Sequence, residues 1–128
     1  MIVVDASALV LAVTEDSARG ETVLLALGDG AIAPWIIDAE VGQALRGMVL
    51  RHDLDAEGGW MALTLAQQLI GERGSEAAQL RRAWELRDNV SFYDALYVAL
   101  AELRRLTLVT ADRRLAAANG PRCRIEVV

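Results

Sequence analysis

Met1-Ile2-Val3-Val4-Asp5-Ala6-Ser7 is the stretch from which the fold is read. Four apolar residues in succession, without alternation, predict a short strand buried on both faces, as in a parallel sheet covered by helices. The run ends on a carboxylate and turns at once into a predicted helix over about residues 7–14. Ser7 and Asp5 compete there for the N-cap.

The same pattern recurs along the chain. Ser17 opens a second predicted helix, stopped near Leu27 by Gly28-Asp29-Gly30. Ala31 to Ala33 reads as a strand, and Pro34 opens a long helix to about Arg51, broken by His52-Asp53. A helix over about 55–70 follows, then a turn at Gly71–Gly74, a helix from Glu76 to Arg87, and another from Ser91 to Arg105. Leu106 to Thr110 is a second strongly apolar strand. A short helix from Asp112 to Ala118 and a strand from Arg124 to Val128 complete the order β-α-α-β-α-α-α-α-β-α-β. Strands separated by helices need crossovers and so a mainly parallel α/β sheet. In such sheets, sites form beyond the carboxyl ends of the strands.

Four acids stand at these junctions: Asp5, Glu40, Asp94 and Asp112. Asp5 and Asp112 follow apolar strands, and Glu40 and Asp94 lie in first helical turns. Each has an ordinary explanation as a helix cap or a partner of the helix dipole, and Ser91 with Asp94 has the spacing of a capping box. As a set they read differently. Asp94 heads an apolar stripe through Val98 and Ala101, and Ala95 and Ala99 let that helix approach the sheet closely. A carboxylate beside a core costs free energy unless it is paired or binds a metal. Oxygen ligands converging from several elements suit Mg²⁺ or Mn²⁺, and that chemistry points to phosphodiester hydrolysis by metal-activated water. Ser7 and Thr110 are supporting candidates, able to orient a carboxylate. Arg46, Arg51, Arg113 and Arg114 are candidates for RNA phosphates or solvated surface residues. The single histidine, His52, is read as a helix-end or surface residue.

Composition bounds the alternatives. At 128 residues the chain is expected to be one domain, 54% hydrophobic and 24% charged. No apolar stretch approaches the roughly 18 residues of a membrane span, and the acid at position 5 argues against a signal peptide. One cysteine, Cys123, leaves no internal disulfide, so a cytoplasmic location is expected and the thiol is read as packing. A net charge of −5 argues against a nucleic-acid binder, although bound divalent ions would make the site less negative than that count. All 13 basic residues are arginine, whose planar fork suits phosphate.

The segments Ile2-Val3-Val4-Asp5-Ala6-Ser7, Asp38-Ala39-Glu40-Val41, Tyr93-Asp94-Ala95-Leu96 and Val109-Thr110-Ala111-Asp112 resemble the acid motifs of PIN-domain nucleases. Order and spacing fit along essentially the whole chain, and the length looks most like the VapC toxins of bacterial toxin–antitoxin pairs. The resemblance implies a PIN-like α/β/α sandwich and a Mg²⁺- or Mn²⁺-dependent endoribonuclease with Asp5, Glu40, Asp94 and Asp112 as metal ligands. It also implies a cognate antitoxin, a homodimer, and a tRNA or rRNA substrate. Asp38 competes with Glu40 for the second ligand, and Glu40 fits the motif better. Gln43 stands where the family often has asparagine. Trp60, Met61 and Leu65 are candidates to line an antitoxin groove, or to serve as core or dimer contacts.

Other classes fit less well. A receiver domain shares length and an acidic Mg²⁺ pocket, but the chain has no lysine to place beside it. A P-loop is excluded by the missing Gly-Lys-Ser/Thr motif. A PIN nuclease of RNA maturation and a non-catalytic binding module on the same fold remain as alternatives.

Overall fold

The computed structural model describes residues 1–128. Its elements run β1 (Ile2–Val4), α1 (Ala6–Thr14), α2 (Ala18–Leu27), β2 (Ala31–Pro34), α3 (Ile37–Leu50), α4 (Ala56–Leu69), β3 (Glu72–Gly74), α5 (Ala77–Glu85), α6 (Phe92–Arg104), β4 (Leu108–Thr110), α7 (Arg113–Ala117) and β5 (Ile125–Val127). The five strands form one parallel sheet in the order β3-β2-β1-β4-β5. Val3 and Val4 of β1 pair with Leu108 and Val109 of β4, while Ile2 and Val3 face Ala31 and Ile32 of β2.

Because the order steps outward from β1 in both directions, right-handed crossovers place α1–α4 on one face and α5–α7 on the other. The packing agrees: α1 lies against α2, α3 and α4, and α5 against α6. The sheet is thus covered twice, and β1, β2 and β4 are almost wholly buried, as their unbroken apolar runs require. A single cluster of 29 buried apolar residues fills both interfaces. Ala95, Val98, Ala99 and Ala101 of α6 all fall within it, so the stripe below Asp94 faces the sheet as its spacing predicts.

Three local expectations are corrected. The segment predicted as a turn at residues 71–74 contains β3. Its polar, glycine-bounded sequence carries no strand signal, but β2 offers an unpaired edge, and Ile32, Ala33 and Pro34 take Glu72, Arg73 and Gly74 as partners. Gly74 also allows a close approach: a Cβ there would lie 2.8 Å from a methyl of Leu100. Second, Pro34 ends β2 and does not open a helix; α3 begins three residues later. Third, α1 is capped by Asp5 and not by Ser7, with the Asp5 carboxylate accepting from the Ala8 amide at 2.9 Å.

Polar ties join neighbouring elements. Arg73 forks onto Asp38 at 2.6 and 2.8 Å. Arg82 forks onto Glu102 at 2.6 and 3.2 Å, tying α5 to α6. The buried Gln79 donates to the Leu96 carbonyl at 3.0 Å, another α5–α6 tie. His52 occupies a left-handed conformation (φ 63°) just after α3, where it ends the helix. Cys123 is half-buried against the core, and burial pushes its thiol up to about 11, as expected of a packing residue. No helix is long and apolar enough to cross a membrane.

Candidate active site

The strand order reverses between β1 and β4, which in open α/β sheets is where a crevice forms beyond the strand ends. A cleft of about 790 Å³ lies there. Asp5, Glu40, Asp94 and Asp112 all line it, together with Ser7, Gln43, Trp35, Tyr93 and Tyr97. The four acids arrive from four elements: the end of β1, the first turns of α3, the first turn of α6, and the corner between β4 and α7. Asp38 is not among them. It bonds Arg73, while Glu40 lines the cleft.

Asp5 is the anchor. It is 6% exposed, and its carboxylate is held by three donors. Oδ1 accepts from the Ser7 hydroxyl at 2.6 Å and from the Ala8 amide at 2.9 Å, and Oδ2 accepts from the Thr110 hydroxyl. Each hydroxyl also accepts from the β4–α7 corner: Ser7 Oγ from the Ala111 amide and Thr110 Oγ1 from the Asp112 amide, both at 2.9 Å. Ser7 and Thr110 therefore bind Asp5 to the loop that carries Asp112, more than 100 residues away in sequence. Both hydroxyls singled out from the sequence bond the Asp5 carboxylate, and a carboxylate with roughly four lone-pair sites keeps one free.

Tyr97 was not anticipated from sequence. Its ring is 1% exposed in the core, and its phenol donates to Glu40 Oε2 across from α3. The available signal was spacing: Tyr97 is three residues beyond Asp94 and shares its helix face. Burial, together with Glu40, drives the phenol's pKa far up, so it stays protonated and acts only as a donor.

Electrostatics distinguish the acids. Burial pushes Asp5, Glu40 and Asp94 above the usual carboxylate range. Hydrogen bonds from Ser7, Thr110 and Tyr97 offset part of that, while repulsion from neighbouring acids adds to it: Asp94 acts on both Asp5 and Glu40, and Asp112 on Asp94. Asp112 goes the other way. Burial alone would raise it, but bonds from the Arg114 amide and guanidinium outweigh that and hold it low. Asp112 is also the N-cap of α7, accepting from the Arg114 amide at 2.8 Å. The capping box at Ser91 is half made: Ser91 Oγ accepts from the Asp94 amide at 3.1 Å, and the Asp94 carboxylate lines the cleft. Capping and cleft-lining are thus not exclusive for Asp5 or Asp112. A smaller adjoining hollow, lined by Ser91, Asp94, Asp112 and Arg114, continues past them.

The donor set is all oxygen and mostly carboxylate, partly desolvated and self-repelling, which is the chemistry of a hard divalent cation site. No three His, Cys, Asp or Glu side chains are clustered tightly enough to share one ion in this arrangement; Asp5 is bonded to Ser7 and Thr110, and Glu40 to Tyr97. Of the arginines considered for phosphate, Arg51 is paired with Asp53 and Arg114 with Asp112. Arg46 lies in a separate groove between α3 and α4, beside Leu50, Trp60 and Leu63. Trp60, Met61 and Leu65 are exposed, which rules out the core role considered for them.

A model of the PIN domain matches residues 2–121. Ribonuclease VapC1 of Mycobacterium tuberculosis is 45% identical over 129 aligned residues, covering 98% of this chain and 96% of the relative. Among solved structures, PAE2754 from Pyrobaculum aerophilum superposes with a TM-score of 0.70 at 27% identity, covering 91% of this chain and 84% of that one. VapBC2 from Rickettsia felis, bound to a DNA fragment from its promoter, superposes with a TM-score of 0.74 at 17% identity, over 100% of this chain and 99% of that one. At that identity the likeness concerns the fold alone.

Proposed function

The chain belongs to the PIN-domain family, and from that premise we propose that it is a metal-dependent endoribonuclease, the toxin of a toxin–antitoxin pair. The observation that carries this reading is the arrival of Asp5, Glu40, Asp94 and Asp112 from four elements at one cleft. Identity of 45% to a protein named Ribonuclease VapC1 supports RNA as the substrate and toxicity as the context.

Asp5, Glu40, Asp94 and Asp112 would hold Mg²⁺ or Mn²⁺. When bound, the ion supplies Lewis-acid activation of water and neutralises charge developing at the scissile phosphate. The protein's own residues prepare for that. Ser7 and Thr110 fix the orientation of Asp5 and leave its remaining lone pair for the cleft. Tyr97 holds one oxygen of Glu40 and leaves the other available. Arg114 lies past Asp94 and Asp112 in the adjoining hollow, placed to meet a phosphate of the RNA strand as it leaves the acids. The mutual repulsion of the acids disfavours the metal-free state and so favours uptake of a cation.

A cognate antitoxin is the proposed regulator. The groove between α3 and α4, with Trp60 exposed on its wall and Met61 and Leu65 exposed on α4, suits the apolar face of an amphipathic segment. A protein of the same fold has been solved as a VapBC assembly. A homodimer and a tRNA or rRNA target belong to the same proposal.

The test is incubation with total cellular RNA in Mn²⁺, Mg²⁺ or EDTA, beside Asp94→Asn. Discrete cleavage that needs the divalent ion and is absent in the variant is the expected result. Asp94→Asn should also melt higher than the parent in EDTA, because one of the repelling charges is gone. Absence of cleavage under every condition overturns the nuclease reading.

A further inference from the structure

The cleft that holds the four acids contains no basic residue. A polyanion entering it gains nothing from cations on its walls, and the acids repel it. Beyond Arg114 in the adjoining hollow and a bound cation, affinity for a nucleic acid needs a further source. The chain has three tryptophans, two tyrosines and one phenylalanine, and three of those six, Trp35, Tyr93 and Tyr97, line this one cleft. Tyr97 is buried and committed to Glu40. Trp35 and Tyr93 are 58% and 62% exposed, apolar surface that the free protein leaves in water.

Their positions are tied to the acids. Trp35 follows the carboxyl end of β2, its amide donating to the Gly74 carbonyl at 3.1 Å, and Glu40 is five residues further along the same connection. Tyr93 immediately precedes Asp94 in the first turn of α6. Tyr93 therefore stands on the helix that carries Asp94, and Trp35 in the two-residue turn that leads from β2 into α3, the helix that carries Glu40.

Resting on the nuclease reading of this site, we propose that Trp35 and Tyr93 are base-stacking platforms, which grip unpaired nucleotides flanking the scissile phosphate. Every base has a π-face, so stacking grips single strands with little regard to sequence, and only unpaired bases can leave their own stack to reach the platforms. The substrate class is accordingly single-stranded RNA or an RNA loop. The aromatics supply affinity where the acids oppose it.

The test measures binding of a fluorescein-labelled random-sequence 12-mer RNA in EDTA, where cleavage is blocked. A 12-mer of the same backbone without bases serves as the control. Wild-type protein should prefer the base-bearing strand. Trp35→Ala and Tyr93→Ala should each weaken binding of that strand by about fivefold or more, leave the abasic strand unaffected, and retain the parent melting temperature. Trp35→Phe and Tyr93→Phe should restore the preference. With Mn²⁺, the alanine variants should raise KM and leave kcat nearly unmoved. Alanine variants that keep the preference overturn the proposal. So do variants that keep RNA affinity and lose self-association, which would make the aromatics protein contacts. Wild-type protein that cleaves cellular RNA without preferring base-bearing strands overturns the platforms and leaves the nuclease standing. Protein that neither cleaves nor binds RNA overturns both.

Discussion

Tyr97 donates its phenolic hydrogen bond to Glu40, joining α6 to α3 across the floor of the acidic cleft. The phenol is one of the forces opposing the rise in the Glu40 pKa, against burial and the repulsion of Asp94 and Asp5. In Tyr97→Phe that opposition is lost and Glu40 is protonated at higher pH. The expected outcome is an RNA cleavage profile whose acidic limb moves to higher pH, with a rate at neutral pH lowered by about tenfold or more, as for loss of a partner that orients a ligating group. An unmoved acidic limb would show that Glu40 does not depend on this bond.

Thr110→Val removes a donor from the most buried acid while keeping the shape of the side chain. The Thr110 hydroxyl also accepts from the Asp112 amide, so one change loosens two acids. Loss of a bond to a buried charge costs about 1.5–3 kcal/mol, readable by chemical denaturation at neutral pH. Thr110→Ser keeps the hydroxyl and should recover most of both stability and cleavage. Damage from Ser with none from Val would mean that packing of the methyl, and not the hydroxyl, is what matters.

Glu102 tests pH dependence away from the cleft. Burial raises its carboxyl, but Arg82 and the Arg122 amide outweigh that and the net shift is down. A depressed carboxyl contributes stability that is fully present above its unfolded value of about 4.3 and is lost as pH falls through the lower folded value. Glu102→Gln should therefore be less stable than the parent by about 0.5–1.5 kcal/mol at neutral pH, since solvent screens part of the interaction. The gap should narrow below about pH 4. Melting curves of the two proteins across pH 3–7 check this, and a gap that stays constant would be the contrary result.

What was legible in the sequence follows the physics of each signal. The strands β1 and β4 announce themselves because a segment buried on both faces must be continuously apolar. The four acids were found because each interrupts such a pattern at a junction. The parallel order puts all four at one edge of the sheet, and their assembly in one cleft needs the strand order β2-β1-β4, which no local signal gives. The strand β3 was hidden because its stability comes from the edge of β2 and from the grip of Arg73 on Asp38, neither of which is local. Tyr97 was hidden because a tyrosine on the buried face of a helix looks like any core residue until its hydroxyl finds a partner. Asp5 took the cap from Ser7 because the Ser7 hydroxyl is occupied in bonding Asp5 itself and the Ala111 amide.

The pairing of β1 with β4 also has a consequence for the order of synthesis. A ribosome makes Asp5 and Glu40 early, but Val3 has no Leu108 to pair with, and Asp5 has no Thr110, until most of the polypeptide has been translated. Contacts of such long separation form late in folding. A protein that cuts RNA would thus carry its own delay, harmless to the messenger and the ribosome that are still producing it.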